Sequence, residues 1–234
     1  MVSKRRYGRS LTFIEDGFEK CLCNVSDLVQ AAESLLAAGS HAPALSLSVL
    51  ALEEMGKMYF IDGLLFSRPD DHKVDYFNKS QKKHNIKLSA IPMISLLSTM
   101  IARCDPRFHT EDIFRTAIMI GHENWKKAGE EVLSLSGCSD FEFLDDWKQR
   151  GFYVGVIGGN KFQCPRDGVD KSLAEAVHRF AKMSANNLDF SLSGGNLKRY
   201  MEQARSIRSK LSENDHETLA SYAGELVRQL FDAE

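Results

Sequence analysis

Two carboxylates, Glu53 and Glu54, and one ammonium, Lys57, interrupt the apolar run ALSLSVLALEEMGKMYF at residues 44–60. Charged side chains enter such a run when they are paired or when they do chemistry, because a lone buried charge is costly. On a helix Glu53 and Lys57 are four apart and Glu54 and Lys57 three apart, so the spacing predicts one shared face. A second polar cluster, KKHNIK, places His84 and Lys87 three apart. If the two helices are antiparallel neighbours, two carboxylates, an imidazole and an ammonium meet as one polar network inside a packed layer. The plainer alternative is a Glu–Lys pair on a partly exposed helix edge.

Other spacings are weaker. Glu175-x-x-His178 and Glu213-x-x-His216 match the i, i+3 pairs of carboxylate-bridged di-metal bundles. The simpler reading makes one an exposed helix face and the other a cap, so no metal and no cofactor is expected. Gly155, Gly158 and Gly159 lack the strand–loop–helix setting and the lysine of a phosphate loop. The cysteines at 21, 23, 104, 138 and 164 are odd in number and scattered. They give neither a disulfide framework nor a zinc pair, and fit a reducing cytoplasm.

The elements that must position these residues are helical. The chain has 234 residues, 43% hydrophobic, with net charge -2, which suits a globular protein and excludes a global basic field for nucleic acid. MVSKRRYGRS has charge but no apolar segment behind it, so no secretory signal is expected, and Glu53, Glu54 and Lys57 break the best candidate membrane span. Five prolines fall mostly between periodic segments. Residues 1–16 read as a basic, flexible N-terminal segment and 17–234 as one domain. Val25, Leu28, Val29, Ala32, Leu35 and Leu36 form a helical stripe from about Gly17 to Ala38. After Gly39, Ser40 is a cap, and Pro43 lies in the first turn of a helix running to about Phe66 that is apolar nearly all round, hence central.

Lys73 to Lys87 is polar, and Pro92 demands a kink or a fresh start near Ile91. Thr110, with Glu111 and Asp112, reads as the start of a helix burying Phe114, Ala117, Ile118, Gly121, Trp125, Ala128 and Val132. GFYVGVIGGNKFQCP reads as a hairpin near 151–164 that turns at Gly158-Gly159-Asn160. Ser172 and Glu175 have capping-box spacing ahead of a helix to about Leu188. Gly194-Gly195 breaks the chain, and charged helices follow, with Asn214 and Glu217 again at capping-box spacing. The fold class is all-α, a helical bundle with a small β-hairpin insertion and extra C-terminal helices.

AAESLLAAGSHAPALSLSVLALEEMGK, HNIK, LDDWKQRGFYVGV and CPRDGVDKSLAEAV occur in that order. With Glu53-Glu54-x-x-Lys57, His84-x-x-Lys87 and Phe152-Tyr153-Val154, the series resembles the AbiV-type abortive infection proteins of the HEPN superfamily. The resemblance spans roughly Ala31 to Ala181. It implies an all-α, usually dimeric, bacterial phage-defence protein that acts on RNA or translation, with a homodimer, RNA and a phage-encoded activator protein as partners. Many HEPN proteins are metal-independent ribonucleases with an arginine four to six residues before a histidine. Arg103 and His109 have that spacing, but they straddle Pro106 in an expected loop. The alternative catalytic histidine is His84. Lys87 or Lys57 would then orient or stabilise phosphate, and Glu53 or Glu54 would set the imidazole's tautomer and pKa. A second class is a non-catalytic interaction module in which the same network fixes the packing. The basic runs at Lys4, Arg5, Arg6 and Arg9 and at Lys198, Arg199, Arg205, Arg208 and Lys210 read as a solvated tail and a solvated helix face. Trp125 and Trp147 read as core or interface residues rather than base-stacking platforms.

Overall fold

A computed structural model describes residues 11–65, 84–157 and 161–210. Helix α1, Leu11–Ala37, starts before the expected Gly17, because Ile14 and Phe18 extend its apolar stripe and are fully buried. Val25, Val29 and Ala32 continue that stripe. Gly39 ends it at φ 75°, in the left-handed region that a residue with a Cβ avoids. Helix α2, His41–Gly63, follows after Ser40 and is buried on nearly every side. It is the central element, packed by α1 on one side and by most later helices on the others.

Helix α3, His84–Ser89, is followed by α4, Ile91–Ala102, with Pro92 in the first turn of α4. The proline therefore marks a fresh start, since its missing N–H has no intrahelical partner there in any case. A short α5, Arg107–Thr110, leads into α6, Asp112–Ser136. Thr110 thus closes α5, and the N-cap position expected of Thr110 falls one residue later, on Glu111. In α6, Phe114, Ile118, Trp125, Ala128 and Val132 are buried, whereas Ala117 is exposed and Gly121 half-buried. Trp125 is a core residue that donates from Nε1 to Ser184 Oγ at 3.0 Å.

Helix α7, Leu144–Phe152, precedes a two-stranded antiparallel hairpin, β1 Gly155–Ile157 and β2 Lys161–Gln163, with Val156 opposite Phe162. The turn at 158–160 lies outside the described residues. A short α8, Pro165–Gly168, leads to α9, Lys171–Leu192. Asp170 caps α9 by accepting from the backbone N–H groups of Ser172 and Leu173, so the cap lies two residues before the expected Ser172. After Gly194 and Gly195, at φ 63° and 77°, α10 covers Asn196–Lys210. The basic N-terminal run, residues 66–83 and the Asn214–Glu217 capping box lie outside the described residues.

One hydrophobic core joins α1, α2, α3, α4, α6, α7, α9 and α10. Tyr200 of α10 donates its hydroxyl to Asp62 Oδ1 near the end of α2 at 2.8 Å, fixing the last described helix to the central one. Among the described residues, no helix is long and apolar enough to cross a membrane.

Candidate functional site

Helices α2, α3 and α7 meet at the middle of α2, and two glycines set how closely. A Cβ on Gly56 would lie 2.2 Å from the Lys87 carbonyl oxygen. A Cβ on Gly151 would lie 2.1 Å from Ser46 Oγ and 2.5 Å from the Ala42 carbonyl. Neither approach tolerates a side chain on the glycine. Ser46 also donates its hydroxyl to the Lys148 carbonyl at 2.8 Å, which ties α7 to α2 in one register.

At this crossing Glu53, 1% exposed, is the anionic centre. Its Oε1 is 2.5 Å from Lys148 Nζ, and its Oε2 is 2.6 Å from His84 Nδ1 and 3.1 Å from Lys87 Nζ. Lys148 Nζ is also 2.6 Å from Asp145 Oδ1, one turn back on α7. Burial pushes the Glu53 carboxyl up, but hydrogen bonds from Lys148 and His84 outweigh it and hold the pKa below the ordinary value. An ionised Glu53 only accepts, so the N–H of the neutral imidazole is on Nδ1 and Nε2 is left as the basic nitrogen.

Exposure divides the group. The side chains of Lys87 and Lys148 are 5% and 3% exposed, whereas His84 is 45% exposed. The buried members form a charge-compensated base, and the imidazole is the part that meets solvent. The oriented, solvent-facing imidazole can move a proton, and the two buried ammonium groups beneath it add positive potential there. One oxygen each of Glu53 and Asp145 and a His84 ring nitrogen lie within 4.8 Å of one another, a set of donors that could hold a metal ion.

The five residues expected to form one site separate. Glu53, His84 and Lys87 come together, while Glu54 and Lys57 do not join them. Adjacent helical positions differ by about 100° around the axis. Glu54 therefore turns toward α1 and pairs with Lys57 in a cleft of about 360 Å³ lined also by Asp16, Lys20, Cys21 and Asn24. Lys148 and Asp145 replace them in the cluster. Sequence reasoning missed both, although the signal was present: Leu144, Lys148 and Gly151 are the buried stripe of α7, and a lysine at the centre of such a stripe needs a buried anion.

The alternative pair stands apart, at the corner between α4 and α6. A ring nitrogen of His109, Nε2, is 3.2 Å from the Arg103 carbonyl, and the Arg103 guanidinium lies over Phe108 at 5.7 Å. The buried anion of that corner is Asp105, gripped by Arg107 at 2.7 Å and by Asn196 at 3.0 Å. Glu175 pairs with Lys171 at 3.7 Å on a partly exposed face, while His178 is buried with Nδ1 3.4 Å from Ser48 Oγ. These two do not converge on a common point, and Glu213 and His216 lie outside the described residues. The five cysteines are free thiols, with burial pushing Cys21 up to about 11.

The comparisons with known proteins agree with this architecture. No curated protein and no solved structure matches the chain. The sequence model of the HEPN family described as AbiV matches residues 13–186, from the start of α1 into α9 and across the whole Glu53 cluster. A match of that extent assigns the family, and the chain belongs to the AbiV family of HEPN abortive-infection proteins.

Proposed function

We propose that this AbiV-family protein acts in phage defence by cleaving RNA without a metal ion, with His84 as the proton-transfer group. The observation that carries the reading is the 2.6 Å contact between Glu53 and a half-exposed His84 on a base of buried charges. Glu53 sets the tautomer, and Nε2 takes the 2′-hydroxyl proton or returns one to the leaving oxygen. Lys87 and Lys148 keep Glu53 ionised and add positive potential where charge develops on phosphorus. Cytoplasmic location, a homodimer and a phage-encoded activator belong to the same reading, by way of the family.

A second reading, a non-catalytic interaction module, is favoured by one observation: Glu53 is saturated by three donors, with both lysines almost wholly buried. The two readings separate on His84. Purified wild type, His84→Ala and His109→Ala are incubated with total RNA and with tRNA in EDTA, and their melting temperatures are measured. Cleavage lost in His84→Ala at an unchanged melting temperature supports catalysis at His84. Intact RNA with wild type, tested alone and with extract of phage-infected cells, supports the module.

A further inference from the structure

The Lys148 ammonium lies between two carboxylates, 2.5 Å from Glu53 Oε1 and 2.6 Å from Asp145 Oδ1. Both contacts are shorter than the roughly 2.7–2.9 Å of an ordinary charge-assisted N–H···O bond. Asp145 Oδ1 is screened from solvent, yet it accepts no hydrogen bond of proper direction among the described residues. Lys148 meets it as charge against charge, which leaves the lone pairs of that oxygen unassigned. His84 brings a ring nitrogen to the same place, so one nitrogen and two oxygens from α2, α3 and α7 lie within 4.8 Å of one another. Tetrahedral donors about 2.0–2.2 Å from a zinc-class ion lie roughly 3.3–3.6 Å apart, so His84 and the two carboxylates draw together around the ion by as much as about 1.5 Å as the ammonium leaves.

We propose that Glu53, His84 and Asp145 bind a divalent transition metal of the zinc class in competition with the Lys148 ammonium. The tethered ammonium and a free ion are alternative cations for one pair of carboxylates. Imidazole plus carboxylate selects zinc or cobalt over magnesium and calcium, which need more oxygens and tolerate nitrogen poorly. Metal binding here depends on donor geometry alone and is independent of RNA cleavage. In a protein that does cleave RNA, the metal inhibits, because it holds the imidazole that moves the proton.

The test is titration of the full-length protein with Zn2+ by calorimetry and with Co2+ by its visible absorption. Wild type, His84→Ala, Asp145→Asn, Lys148→Met and a Cys23→Ser control are compared, each checked for helicity by circular dichroism. One ion per chain is expected, weakened about tenfold or more by His84→Ala and by Asp145→Asn. Lys148→Met tightens it about tenfold, and Cys23→Ser leaves it unchanged. Absence of binding, or binding indifferent to both His84→Ala and Asp145→Asn, overturns the site. A Lys148→Met protein that folds and binds no tighter overturns the competition.

Discussion

Glu53 and Glu54 are neighbours in the chain and serve different sides of α2. Glu53 faces α3 and α7, where His84, Lys87 and Lys148 surround it. Glu54 faces α1 and pairs with Lys57 beside an open cleft. The doublet therefore supplies two sites of different character, one built on a fully buried carboxylate shared by three donors, the other a single pair with side chains 16% and 21% exposed at the edge of the cleft.

That difference predicts unequal costs. Glu53→Leu leaves Lys87 and Lys148 buried without their shared anion and destabilises by about 3–5 kcal/mol. Glu54→Gln removes a partly solvated pair and costs about 1 kcal/mol or less. Urea denaturation of the two variants measures the gap, and equal losses would contradict the division of the doublet.

Gly56 is a second point of leverage. Alanine there places a methyl group 2.2 Å from the Lys87 carbonyl, so α3 must move as a unit. The expected loss is about 1–3 kcal/mol, and the imidazole resonances of His84 shift by NMR. Gly63→Ala, whose Cβ would meet nothing within 4 Å, is the control and leaves both unchanged.

Asp62 gives a pH signature. Burial raises its carboxyl to about 7, even though the Tyr200 hydrogen bond pulls the other way. The folded state therefore holds this proton more tightly than the unfolded chain does. Its contribution is fully present below the unfolded value, near pH 4, and is lost as pH rises through about 7. Asp62→Asn keeps an acceptor for Tyr200 and removes the titration. Its melting temperature should exceed that of wild type at pH 8, and the gap should close toward pH 5.

The two histidine candidates make opposite forecasts. His84→Ala should reduce RNA cleavage in EDTA at least about 100-fold without lowering the melting temperature by more than about 2 °C. His109→Ala should retain cleavage, since Nε2 of His109 already lies 3.2 Å from a backbone carbonyl. Loss of cleavage in His109→Ala alone would move the chemistry to the α4–α6 corner.

The helical class, the central place of α2, the break at Pro92, the hairpin after α7 and the AbiV resemblance follow from the sequence alone. Each rests on local chemistry: apolar periodicity, proline and glycine stereochemistry, and ordered motifs. The sequence also singled out Glu53, His84 and Lys87, because charges in or beside an apolar run must be used. Only the tertiary structure decided which charges meet. Spacing along a helix leaves Lys57 equally able to pair with Glu53 or Glu54, and the packing of α1 on one side and α7 on the other settles it. Lys148 lies 95 residues from Glu53 in the chain, and no local rule connects them. The contact exists because Gly56 and Gly151 let α3 and α7 approach α2 closely enough for both lysines to reach one buried carboxylate.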